Sequence, residues 1–266
     1  MALYDRIINY LNRKQIKGKD RLFSVFQKIG FRDKIVSNAK YGVKFNLNPN
    51  EYIDSVIIKE GFYESEITDE ILKNLANGKT FWDIGANIGI HSIAVKKNVP
   101  GAKVYSFEPN PKTLNNLFDN IRLNGLDIKI CSFALFDRIS SMTLHIVLGN
   151  SGMSTLTPWD EADYRSSVVC LTTTGDDLCN NDFEIPNIIK IDTEGSEVNV
   201  LKGCKEILSS PELELILFET TNDFLDEGYR DEMSDLLKSY GFTKIIKLKR
   251  NENTHHALSN FAAYKK

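Results

Sequence analysis

The sequence predicts an α/β fold: a mostly parallel sheet with helices on both faces, a terminal antiparallel strand, and a small N-terminal helical extension. Three observations predict it. Short apolar runs of strand length alternate with helix-period segments along most of the chain, the pattern of parallel strands joined by crossover helices. A glycine turn, FWDIGANIGIH from Phe81 to His91, links one apolar run to the next. A chain of 266 residues with 42% hydrophobic content suffices for one substantial core with an appendage, not for two equal domains. The extension is expected over residues 1–60 and the main domain over 61–266.

The elements follow in order. In the extension, Leu3, Ile7 and Leu11, then Leu22, Phe26 and Ile29, recur at helical spacing, with Gly30 as a stop. Val43 to Leu47 and Tyr52 to Ile58 read as short strands, and Ser65 to Leu75 as a helix ending near Gly78. Next come a buried strand from Thr80 to Ile84, a helix from Ile90 to Lys97, a strand from Lys103 to Phe107 and a helix from Pro111 to Leu123. Asn110 suits the N-cap of that helix, and Pro111 sits where the first-turn N–H is dispensable. Asp127 to Cys131, Thr143 to Val147 and Ser167 to Thr172 read as further strands. Asn187 to Ile191 and Leu213 to Phe218 flank a helix from about Ser196 to Leu208. Tyr229 to Tyr240 is the last helix, and Thr243 to Leu248 is expected to pair with Phe261 to Tyr264 as an antiparallel hairpin.

Composition excludes several classes. The four cysteines, Cys131, Cys170, Cys179 and Cys204, show no CxxC spacing, so neither a zinc knuckle nor a disulfide framework is implied. The segment MALYDRIINYLNRK is charged throughout and lacks a signal-peptide core, and no run approaches the roughly 18 apolar residues of a membrane span. A cytoplasmic protein without stable membrane insertion is expected. Residues 1–40 hold ten Lys and Arg against three Asp, which leaves 23 basic and 33 acidic residues in the rest. The basic lobe suits either a solvated pair of helices or contact with an anionic or lipid-linked substrate. The acidic remainder disfavours nucleic acid, whose phosphates call for a basic footprint. Oligomeric state leaves no sequence signal.

The glycine turn has a physical reading. A glycine-rich turn that leaves the carboxyl end of a buried strand and opens a helix lets a ligand approach the backbone, at the edge where open α/β sheets bind ligands. The turn is Gly85-Ala86-Asn87-Ile88-Gly89, not GxGxxG, and Asp83 stands two residues before its first glycine. That acid would repel a pyrophosphate but can pair with an ammonium. The next strand ends in Glu108, about 20 residues on, where a carboxylate can accept from both hydroxyls of a ribose. Pro109 and Asn110 then turn the chain. A ribose and an ammonium without phosphate describe S-adenosylmethionine better than NAD. Taken singly, Asp83 could cap the helix, Glu108 could be a solvated loop acid and the glycines could only make a turn; their joint order favours the cofactor.

Five motifs carry a resemblance: FWDIGANIG, FEPNP, CSFALFDR, TTTGDDL, and IIKIDTEGSEVNVLKG followed by LILFE. In this order, over roughly Gly61 to Glu219, the sequence resembles the FkbM family of methyltransferases. The resemblance implies a Rossmann-like class I methyltransferase fold, S-adenosylmethionine as methyl donor, and O-methylation of a hydroxyl on a sugar, glycan or glycosylated small molecule. Where the family commonly has LDD, this sequence has Gly175-Asp176-Asp177.

Methyl transfer from a sulfonium is an in-line displacement in which the protein positions the acceptor oxygen, excludes water and can take the hydroxyl proton. Candidate catalytic residues are Asp192 and Glu194 of KIDTEGSE and Glu219 of LILFE, each at the carboxyl end of a strand. These acids could orient the acceptor, act as base, or bind Mg²⁺ through oxygen. Glu194 could equally cap the helix beginning near Gly195, with Glu197 on its exposed first turn. Candidate cofactor-binding residues are Tyr63, Glu64, Asp83, Gly85, Ala86, Asn87, Gly89, Glu108, Pro109, Asn110, Ala134 and Asp137. Tyr63, Glu64 and Glu66 resemble the family's tyrosine-glutamate segment, though Ser65 could simply cap a helix there. Asp137 could accept from the adenine amine, as could Ser132 or a backbone carbonyl. His91 could face the cofactor, act as base or simply pack, His145 reads as structural, and His255 and His256 read as loop residues with a metal role as the alternative. The loop Gly149 to Trp159 reads as a lid or as a plain connection. A cofactor-binding protein that no longer catalyses, and an NAD-dependent sugar oxidoreductase, are the alternatives.

Overall fold

A computed structural model of the chain describes residues 35–147, 150–158, 164–221, 232–250 and 258–266. The two expected helices between Leu3 and Gly30 lie outside the described residues, as do Gly149, Trp159, Tyr229, His255 and His256.

In chain order, β1 (Ile35–Asn38) and β2 (Lys44–Leu47) form an antiparallel pair. Helix α1 spans Tyr52–Glu60, where Tyr52 to Ile58 reads as a strand in the sequence. The correction has a physical cause. Ile53, Val56 and Ile57 share one helical face, and Gly61, in the left-handed region at φ 87°, closes the helix by donating its N–H to the Ile57 carbonyl. Then come α2 (Ser65–Asn74), β3 (Thr80–Ile84), α3 (Ile90–Asn98), β4 (Lys103–Phe107) and α4 (Pro111–Asn124). Asn110 caps α4 as expected, its side chain accepting from the Lys112 N–H.

Next are β5 (Lys129–Cys131), β6 (Ala134–Leu135), β7 (Ser140–Val147), β8 (Tyr164–Thr173), α5 (Gly175–Asn180) and β9 (Ile188–Ile191). The single helix expected from Ser196 to Leu208 is two, α6 (Glu197–Lys202) and α7 (Lys205–Ser209). Between them Gly203 passes so close to the Phe136 carbonyl that a Cβ there would lie 2.0 Å from its oxygen. TTTGDDL belongs to the same joint: Thr174 caps α5, and Asp176 accepts from the N–H groups of Glu206 and Ile207 at the start of α7. The last elements are β10 (Leu215–Thr221), α8 (Glu232–Ser239), β11 (Phe242–Lys247) and β12 (Leu258–Lys265).

Seven strands form the central sheet in the order β11-β12-β10-β9-β3-β4-β5. The pairs among β10, β9, β3, β4 and β5 are all parallel, and β12 runs antiparallel to both its neighbours. A smaller sheet, β6-β8-β7, flanks it. The period-2 alternation splits the core. Phe81, Val104, Ile188 and Leu217 face Ile57, Ile71, Ile93 and Leu117 on one side, while Trp82, Tyr105, Ile189 and Phe218 face Val200, Leu201, Ile207 and Leu237 on the other. Covering both faces explains why β3 is buried at every position. Ile35, Phe45 and Leu47 join the first of these clusters.

Candidate active site

The carboxyl ends of β3, β4, β9 and β10 open onto one cleft, with about 770 Å³ of empty space counting the part open to solvent. Its lining includes Tyr63, Gly85, Asn87, Glu108, Pro109, Ala134, Asp192, Glu194 and Glu219. The turn after β3 is built on backbone contacts. The Gly85 and Ala86 N–H groups both donate to the Phe107 carbonyl, each at 3.0 Å. Gly85 has φ +77°, and a Cβ on it would stand 1.8 Å from the Asp192 carbonyl oxygen, so the turn and the end of β9 touch backbone to backbone. Gly89, at φ +88°, opens α3 against Leu117.

Glu108 is the best-anchored acid of the lining. Its Oε2 accepts from the Asn87 N–H at 2.9 Å and its Oε1 from the Asn110 N–H at 2.9 Å. Burial pushes its carboxyl up to about 7, against the two N–H donors and the Lys190 charge, which favour the anion. Asp192 accepts from Lys190 Nζ at 3.2 Å, and burial together with the Glu64 charge raises its carboxyl despite that ammonium. Glu219 accepts from Arg250 Nη2 at 2.5 Å, and burial with the Asp192 and Glu64 charges pushes it up to about 7. Glu194 sits in the left-handed region at φ 53°; burial, then the charges of Asp192 and Glu219, push it up to about 9. Its carbonyl, not its carboxyl, anchors the neighbouring loop by accepting from Thr155 Oγ1 at 2.7 Å. The capping role falls to Glu197, whose carboxylate accepts from the Thr193 and Gly195 N–H groups instead of lying on an exposed turn.

Other expected site residues stand back from the lining. Asp83, expected to face a ligand ammonium, is fully buried and faces a protein one: its Oδ2 accepts from the Ser92 N–H and Oγ, and its Oδ1 lies 3.6 Å from Lys190 Nζ. Asp137 is engaged by Asn199 Nδ2 at 2.9 Å and Arg138 at 3.0 Å, so Ala134 and Leu135 line that wall in its place. Glu64 occupies the cap position of α2 suggested for Ser65, without a side-chain cap bond. It lies behind Tyr63, accepting from Asn260 Nδ2 at 3.1 Å and lying 3.8 Å from His91 Nε2. Burial alone would raise its carboxyl, but His91, Asn260 and Lys190 together hold it below the usual range. Glu66 accepts from the same Asn260 amide at 2.9 Å. His91 packs as a core residue, Nδ1 against Thr68 Oγ1 at 2.9 Å. Ala86, Gly89 and Asn110 shape the turn from within.

The loop after β7 does reach the cleft: Gly152, Ser154 and Leu156 line it. Thr155 bridges to His145, and Ser154 Oγ accepts from Asn110 Nδ2 at 3.1 Å. Two cations escaped the sequence reading. Lys190 interrupts the apolar run IIKI, a signal that was legible; Arg250 joins Glu64 and Glu219 across long stretches of chain and left none. Among the described residues, no three His, Cys, Asp or Glu side chains converge to hold a metal ion, so the acids of the cleft give Mg²⁺ no support.

The profile of the methyltransferase FkbM domain matches residues 83–244. The hexuronic acid methyltransferase AglP of Haloferax volcanii is 27% identical over 82% of this chain and 86% of its own length. The methyltransferase sdnD of Sordaria araneosa is 27% identical over 72% of this chain and 85% of its own. The crystal structure of methyltransferase FkbM from Methylobacillus flagellatus KT superposes with a TM-score of 0.51 at 16% identity, over 80% of this chain and 52% of that longer one, and so bears on the fold alone.

Proposed function

The chain belongs to the FkbM methyltransferase family, and from that premise we propose that it transfers a methyl group from S-adenosylmethionine to a hydroxyl of a sugar, glycan or glycosylated small molecule, with residues 61–266 as the methyltransferase domain. One observation carries the reading: Glu108, Asp192, Glu194 and Glu219 line a single cleft beside a glycine turn that leaves no room for a side chain. The donor set fits this cofactor. An acid-lined wall favours a cation, and Glu108, already fixed by two N–H groups, keeps lone pairs for hydroxyls. Glu108, Pro109, Tyr63, Asn87 and Gly85 would hold it, with Ala134 and Leu135 against its base. When bound, the cofactor supplies an electrophilic methyl group on a sulfonium.

The chain's own residues then position the acceptor. Asp192 accepts the hydroxyl hydrogen bond, orients the oxygen and takes its proton as that oxygen is methylated, while Glu194 and Glu219 complete the polar wall of the cleft. Gly152, Ser154 and Leu156 add a further wall to the cleft. A sugar acceptor is supported by the similarity to a hexuronic acid methyltransferase. Among the described residues, no helix is long and apolar enough to cross a membrane.

Calorimetric titration with S-adenosylhomocysteine, with NAD as control, tests the cofactor reading. The first should bind and the second should not, and Glu108→Ala should weaken binding at least about tenfold, the loss of one to two charged hydrogen bonds. Absence of S-adenosylhomocysteine binding to the unaltered protein would overturn it.

A further inference from the structure

We propose that Lys190 is a positioning residue, which fixes the Asp192 carboxylate at the cleft and ties it to the Gly85 carbonyl in the glycine turn. The proposal rests on the reading of Asp192 as the group that engages the acceptor hydroxyl. Lys190 is only 2% exposed, in the middle of β9 between Ile189 and Ile191. A strand covered on both faces ordinarily carries apolar side chains, and an unpartnered ammonium there would give up its proton.

This one is surrounded by oxygen: the Gly85 carbonyl at 3.0 Å, Asp192 Oδ2 at 3.2 Å and Asp83 Oδ1 at 3.6 Å. The two closer oxygens belong to the two segments that meet at the cleft. Asp83 supplies the inner counter-charge. Its Oδ2 is occupied by Ser92, and its Oδ1 makes no hydrogen bond, which leaves that oxygen to face Lys190 as a charge. Since the Asp192 carbonyl fills the space of a Gly85 Cβ, one ammonium pins both the backbone contact and the carboxylate beside it.

The other groups around the cleft cannot replace it. Tyr63 and Glu64 at the start of α2, Glu108 beyond β4, Glu194 and Glu197 beyond β9, and Glu219 at the end of β10 are neutral or acidic. Arg250, beyond β11, is taken by Glu219 and Glu64. Without Lys190, Asp192 is left among like charges, so its titration moves to higher pH.

The test is a carbon-13 titration of aspartate carboxyl groups in the full chain, with the Asp192 resonance identified by its loss in Asp192→Asn. In Lys190→Gln, which keeps an amide to donate to Gly85 but removes the charge, the Asp192 midpoint should rise by about one pH unit or more. If that variant does not fold, Asp83→Asn with Lys190→Met removes the buried pair together, and comparison with Asp83→Asn alone should give the same rise. Equal midpoints would overturn the proposal, because a merely structural lysine would lower Tm and leave the midpoint in place. S-adenosylhomocysteine binding to the unaltered protein is scored separately: its absence defeats the cofactor reading, whereas the titration decides Lys190.

Discussion

Replacing Gly85 by alanine tests the contact on which the cleft is built. A residue with a Cβ at φ +77° carries a penalty of about 1–2 kcal/mol for the left-handed conformation. The added carbon would also stand 1.8 Å from the Asp192 carbonyl oxygen, a backbone atom with no rotamer to change. Relieving such overpacking costs about 1–3 kcal/mol more. The sum is about 2–5 kcal/mol, and at roughly 2–4 °C per kcal/mol its low end lowers Tm by about 4 °C. Gly78 provides the control, since at φ +84° it has nothing within 4 Å of a Cβ and Gly78→Ala bears the backbone penalty alone. Thermal unfolding of the two variants side by side therefore isolates the contact. Gly85→Ala should melt several degrees below Gly78→Ala and should bind S-adenosylhomocysteine more weakly. If the two variants melt together, the turn and the end of β9 do not touch as described, and the account of the cleft fails.

Asp192→Asn should lower kcat by about 100-fold or more while S-adenosylhomocysteine binding is retained, the scale of a lost acid–base contact; undiminished turnover in a methyl-transfer assay would remove its assigned role. The raised carboxyls also set a pH dependence. Glu219 at about 7 and Glu194 at about 9 keep protons in the folded state that the unfolded chain releases near 4.5, so stability present at low pH is lost as pH rises through 7 and then 9. Tm should accordingly be higher at pH 6 than at pH 9, and Glu194→Gln should flatten that difference; an unchanged slope in the variant would show that Glu194 is ionised throughout.

Much of this was legible because local chemistry and tertiary context agreed. Asn110 and Pro111 mark the start of α4 by capping alone, and the buried runs TFWDI and KVYSF are strands in any reading. Tyr52 to Ile58 misled because its β-branched residues suit either period; the deciding feature was Gly61, a helix stop when its N–H reaches the Ile57 carbonyl. The break at Gly203 depends on Phe136, nearly seventy residues earlier, and no local pattern contains it. At the site, strand ends predicted which acids converge, so Glu108, Asp192, Glu194 and Glu219 fell together. What the spacing could not supply was the partner of each acid. Asp83 has the right position for a ligand contact but a protein ammonium already beside it, and Asp137 is tied to Asn199 by folding of distant segments.

The placement of β12 has a consequence for how the molecule is made. It pairs with β10 on one side and β11 on the other, yet it follows both in the chain. During synthesis β9 and β10 can dock on β3 as they emerge, but the outer edge of β10 presents unpaired N–H and C=O groups until residues 258–265 arrive. Translation of residues 222–265 at about 5–20 residues per second leaves that edge open for roughly two to nine seconds. The nascent chain is then most exposed to strand addition from another copy, and the strand that closes the sheet is also the one that ends this interval.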